Sequence, residues 1–180
     1  MNITTKPKTR TEQILSVLSI VAWIAFIGYA MEAGAELVIY IASGVTPEEL
    51  GKLNNNLNVF HLRQWNVLYY SRFVLTPILL SLMKSYVWFL VIKILRKIKL
   101  LNPFTKEVAH KLERISYILF GIWIAGVVAD AFSSWLFEIP GWHNGNSGTG
   151  AFLFMGGLVF IISQIFRRGV EIQSENDLTV

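Results

Sequence analysis

The chain has 180 residues, of which 53% are apolar and 16% charged, with a formal net charge of +4 and no cysteine. Soluble globular domains carry roughly a quarter charged residues, so this composition excludes an ordinary water-soluble fold. The lack of cysteine excludes disulfides, thiolate metal sites and cysteine nucleophiles.

The N-terminus opens with Lys6, Lys8 and Arg10, followed by an apolar run from Ile14. Ala33, Gly34 and Ala35 imitate a signal-peptide cleavage site, but the run exceeds the roughly 7 to 15 residues of a signal h-region. An uncleaved membrane helix over 14–41 is therefore expected, with Ala30 and Gly34 spaced for close helix contact. In the outer loop, 42–66, Thr46-Pro47-Glu48-Glu49-Leu50 reads as an N-cap, an N1 proline and two first-turn acids. That pattern predicts a short surface helix ahead of Asn54-Asn55-Asn56.

A second helix is expected over 67–95. Lys93, Arg96, Lys97 and Lys99 alternate with Ile94, Leu95, Ile98 and Leu100, which extends it to 101 as an amphipathic segment near the headgroups. Asn102-Pro103 ends it, and Asn102 or Thr105 caps the next helix, with Glu107 in a first turn where the helix dipole favours an acid. The third span is 115–136, with Gly121, Ala125 and Gly126 as another small-residue face. The loop 137–150 is rich in Gly and Asn, with Trp142 as an interfacial anchor. The fourth span, 151–166, is the shortest, and the tail 167–180 passes from Arg167-Arg168 to three acids and an apolar end.

These runs approach the roughly 20 residues that cross about 30 Å of hydrocarbon at about 1.5 Å per residue. Peptide groups in lipid have no water to bond with, so each run must be helical; the alternating short strands of a barrel are missing. The expected fold is all-α: a polytopic four-transmembrane-helix bundle in a single membrane domain, 1–180. Lys6, Lys8, Arg10, Lys93, Arg96, Lys97, Lys99, Lys106, Lys111, Arg114, Arg167 and Arg168 flank one face, against Lys52, Arg63 and Arg72 at the other. Basic flanks stay inside, so both termini and the central loop are expected in the cytoplasm.

Five ionisable side chains fall within or at the edge of the spans: Glu32, Glu36, Arg72, Lys84 and Asp130. Each costs roughly 2.5 to 3.5 kcal/mol if it faces lipid alone near the bilayer centre. Counted from Lys93, Lys84 lies about 13 Å deep, and Asp130 lies about 22 Å from the same face. Glu32, Glu36 and Arg72 fall in the outer third, so the expected arrangement is an outer polar network of these residues and Asp130, with Lys84 below. Helical spacing places Ala25, Gly28, Tyr29, Glu32 and Glu36 on one seam. Pro77, Ser81, Lys84 and Ser85 form a second seam, and Gly126, Asp130, Ser133 and Ser134 a third. The set reads as a structural network that fixes helix register, as a pocket or ion path open to the outside, or as residues that snorkel to an interface, which is easy for Glu36 and Arg72 and hard for Lys84.

His61, His110 and His143 have no metal-binding spacing and lie on different sides, and nucleophile, phosphate-loop and dinucleotide motifs are missing. No metal, cofactor or catalytic residue is expected, and the chain is not read as an enzyme. Trp65, Tyr69, Tyr70, Trp88 and Trp135 mark interfaces and packing.

Asn102-Pro103-Phe104-Thr105, the run from Gly157 to Gly169, and the ending Glu175-Asn176-Asp177-Leu178-Thr179-Val180 resemble the YoaS-like family of uncharacterised bacterial membrane proteins, over essentially the whole chain. The family has no established activity, and its members are often encoded beside a small helix-turn-helix regulator. The resemblance implies a multi-pass protein of the bacterial inner membrane that serves a cytosolic regulator as sensor or sequestering anchor. On that reading Asn102, Phe104, Glu171, Glu175, Asp177, Leu178 and Val180 are the candidate partner contacts, and no direct nucleic-acid binding is expected. The competing expectation is a small-solute or ion transporter, a channel or an immunity-type protein that uses the polar seams. A homo-oligomer is compatible with both.

Overall fold

The structure, a computed structural model, describes residues 9–45, 63–97, 104–137 and 148–177. The expected helix at 46–50, Lys52, His61, Asn102, Pro103, Trp142, His143, Leu178 and Val180 lie outside the described residues.

Three of the four long helices begin where a side chain satisfies amides that have no intrahelical partner. Thr9 and Glu12 cap reciprocally: the Thr9 amide donates to Glu12 Oε2 at 2.8 Å, and the Glu12 amide to Thr9 Oγ1 at 3.4 Å. From there α1 runs Arg10–Val45. Asn66 Oδ1 accepts from the Leu68 and Tyr69 amides at 2.9 and 3.4 Å and starts α2, Val67–Lys97. Of the two caps open in the sequence, Thr105 starts α3, Lys106–Phe137: its Oγ1 accepts the Val108 amide at 3.3 Å. Gly148, at φ 63°, turns the chain into α4, Gly150–Asp177.

All four helices are long and apolar enough to cross a membrane. With 36, 31, 32 and 28 residues, even the shortest reaches about 42 Å, beyond the roughly 30 Å of hydrocarbon. The last helix does not stop near residue 166. It continues to Asp177, because the segment after Arg168 contains no proline and a single glycine, Gly169.

Each helix packs antiparallel on its neighbour in the chain, α1 on α2, α2 on α3 and α3 on α4, and among the described residues no other backbones meet closely. The bundle is thus open, with α2 and α3 central. The Tyr40 hydroxyl donates to Ser71 Oγ at 3.1 Å and the Ser85 hydroxyl to the Phe26 carbonyl at 3.3 Å, tying α1 to α2. One end of the bundle gathers Arg10, Lys93, Arg96, Lys97, Lys106, Lys111, Arg114, Arg167 and Arg168. We call it the basic end.

Leu80, Leu90, Ile94, Val108, Ile115, Leu119 and Ile122 form the core, between α2 and α3. Lipid tails are as apolar as these side chains, so helix association here rests on tight packing rather than on expulsion of water. Small residues permit it on α3. Gly121 faces Met83, and the space above Gly126 is filled by the Thr149 side chain. On α1 the expectation fails: Ala30 and Gly34 are exposed and Gly34 has open space around it, since α1 turns Ala22 and Ala33 toward α2 instead. Exposed Ile24, Leu68, Phe154 and Ile161 give the outer faces an apolar surface that suits lipid.

Candidate functional site

At the basic end, Glu107 in the first turn of α3 bridges two elements. Its carboxylate accepts from Lys97 Nζ at the end of α2, at 2.6 and 2.8 Å, and from Lys111 Nζ one turn along α3, at 2.5 Å. The helix dipole accounts for only part of the role of Glu107; its i,i+4 spacing to Lys111 is the sequence signal for the rest. Phe104, half exposed just before α3, lies 5.1 Å from the Phe166 ring and covers Gly169, where a Cβ would come within 2.7 Å of its Cδ1. Phe104, at the start of α3, is thereby packed onto α4 at the point where α4 carries Arg167 and Arg168.

Beyond that contact, α4 projects about nine residues, or roughly 13 Å, as a helix. Arg168 Nη1 donates to Glu171 Oε2 at 2.9 Å, and Glu171 and Glu175 are exposed one turn apart. Of the residues proposed as partner contacts, Phe104, Glu171, Glu175 and Asp177 therefore belong to one protruding end of the molecule. Asn102, Leu178 and Val180 lie outside the described residues.

Midway along α2, Lys84 is half-buried and its ammonium faces rings rather than a carboxylate. Nζ stands 5.6 Å from the Tyr29 ring centroid and 5.8 Å from that of Phe152. A void of about 40 Å³ beside it is lined from all four helices, by Tyr29, Trp88, Leu119, Ile122 and Phe152 among others. That is room for about one water molecule. Glu36 lies within electrostatic range of Lys84 and Glu32, and its Oε2 is buried without a hydrogen bond among the described residues. Glu32 itself is exposed.

Toward the other end, Arg72 is exposed and lies 4.9 Å over the Phe132 ring, and Arg63 lies 5.7 Å over Tyr70. Tyr40 stacks on Tyr70, and Trp65, Tyr69, Phe132 and Trp135 continue an aromatic cluster around them. Asp130 is half-buried on α3, where its carbonyl accepts the Ser134 hydroxyl at 2.8 Å. The structure thus brings Glu36 within range of both Glu32 and Lys84 and seats Arg72 on an aromatic face, and among the described residues Lys84 forms no ion pair. Among the described residues no group of three or more His, Asp or Glu side chains stands close enough to hold a metal ion.

A family model described as "Protein of unknown function (DUF2975)" matches residues 4–180. The match covers the whole set of helices and does not separate a YoaS-like subgroup or single out the C-terminal ending. No curated protein and no solved structure matches the chain. With nearly its full length matched, and an all-helical architecture carrying four membrane-length helices, the chain belongs to this family of proteins of unknown function.

Proposed function

We propose that the chain is a regulatory protein of the bacterial inner membrane, with its basic end in the cytoplasm, where it holds a small cytosolic helix-turn-helix regulator. The observation that carries the reading is the acidic end of α4. It is a helix rather than a loose tail, it protrudes past Arg168, and Glu171 and Glu175 are exposed on it. DNA-binding regulators carry basic faces, and a preformed acidic helix offers such a face complementary charge at little ordering cost. The resemblance to proteins encoded beside such regulators points the same way, and the role needs no catalytic group.

The test is co-purification from native membranes. The full chain should retain a stoichiometric cytosolic protein, and a chain lacking residues 171–180 should lose it while still accumulating in the membrane. Equal retention with and without the segment contradicts the proposal. A second reading, passage of a small solute or ion, rests on Lys84 beside its void. Flux in proteoliposomes that falls on Lys84→Met would favour it.

A further inference from the structure

At the basic end, α3 and α4 part to leave a cleft of about 440 Å³, within the size range of small-molecule sites. Lys106, His110 and Glu113 line it from one face of α3, and Gln164, Arg167 and Glu171 from the facing side of α4. Its charges are not equivalent. Glu171 is engaged by Arg168 at 2.9 Å. Glu113 accepts the Tyr117 hydroxyl at 3.3 Å and lies 3.7 Å from His110 Nδ1. Lys106 and Arg167, by contrast, form no ion pair among the described residues. The cleft therefore has two cations without an ion pair, from two different helices, while Glu171 is paired with Arg168 and Glu113 is held by Tyr117 two turns along α3 from Lys106.

What continues below the cleft identifies the occupant. One turn deeper on α3, below Glu113, stands Tyr117, which is 57% exposed and lies 6.1 Å from the Phe160 ring of α4. Next to Phe160 in the chain, Ile161 is 61% exposed. A free phosphate ester has no use for that apolar strip, whereas a phospholipid has an anionic head for the cations and chains for the strip.

We propose that this cleft binds the headgroup of an anionic phospholipid, with Lys106 and Arg167 on the phosphate and the acyl chains along Tyr117 and Phe160. The geometry is that of basic pockets between membrane helices at headgroup level. Loss of both cations should weaken binding about thirtyfold, taking a typical headgroup contribution for each.

The full chain in detergent is titrated with short-chain phosphatidylglycerol, short-chain phosphatidylcholine and glycerol 3-phosphate, and its thermal midpoint is followed. The proposal expects a saturable rise with phosphatidylglycerol alone. Lys106→Gln with Arg167→Gln should cut the apparent affinity about thirtyfold, whereas Lys93→Gln with Arg96→Gln, a charge-matched change on α2, should leave it unaltered. Both pairs are exposed, and Arg167→Gln alone serves as a milder variant if the double one fails to fold. Equal response to phosphatidylcholine, or equal loss in both double variants, overturns the site. A response to glycerol 3-phosphate matching that to the lipid overturns the lipid as occupant.

Discussion

Two glycines on the packed helix pair α3 and α4 offer a controlled test of the packing. At Gly126 an added Cβ would collide with the Thr149 side chain, including Oγ1 and Cγ2; at Gly157 it would meet nothing within 4 Å. Thr149 cannot easily step aside, since it is 2% exposed, follows the left-handed Gly148, and accepts the Phe152 amide on its carbonyl at 2.9 Å. Alanine gains about 0.8 to 1 kcal/mol of helix propensity over glycine at either position, so that gain cancels between the two variants. What remains is overpacking, about 1 to 3 kcal/mol. Gly126→Ala should therefore be less stable than Gly157→Ala by about that amount, measured by reversible unfolding in mixed detergent and SDS. Removing the obstacle with Thr149→Gly should shrink the difference, giving a favourable coupling in the double-mutant cycle. Equal stability of the two alanine variants, or a less stable Gly157→Ala, would refute the packing of α3 on α4 described above.

Other outcomes follow from the charged residues. Lys84→Met removes a charge that costs roughly 2.5 to 3.5 kcal/mol near mid-bilayer and forfeits contacts with two rings worth about 0.5 to 2 kcal/mol each. The two effects nearly offset, so unfolding stability should change by no more than about 2 kcal/mol in either direction; a larger loss would mean the ammonium has a strongly stabilising anionic partner. Glu107→Gln cuts both links from α3 to Lys97 and Lys111, so it should lower the thermal midpoint in low salt, with the deficit fading near 1 M salt as exposed charges are screened. A deficit independent of salt would contradict that role.

The spans were legible because lipid forces apolar residues and a helical backbone into the same stretches, and because proline and clustered lysines punctuate them. Thr105 and Glu107 were legible as the start of α3 for the same local reason. The start of α1 could have been read too, since Thr9 and Glu12 have capping-box spacing. The seam on α1 was harder. In an outer helix that is apolar all round, periodicity does not say which stripe meets protein and which meets lipid, so spacing alone turns Gly28 and Glu32 inward while Ala22 and Ala33 are the buried residues. The partners of Lys84 and Arg72 were illegible because charge suggests carboxylates, whereas aromatic rings from other helices occupy those positions. The cleft at the basic end depends on the angle between α3 and α4, which no local pattern encodes.

On the proposed topology the four helices cross the bilayer with the basic end inside the cell. The chain has no cysteine, so single cysteines can be read in an otherwise silent background. In intact bacterial cells a membrane-impermeant maleimide should label Gln64→Cys, and should label His110→Cys and Ser174→Cys only after lysis. Labelling of the latter two in intact cells, or protection of Gln64→Cys until lysis, would contradict the account.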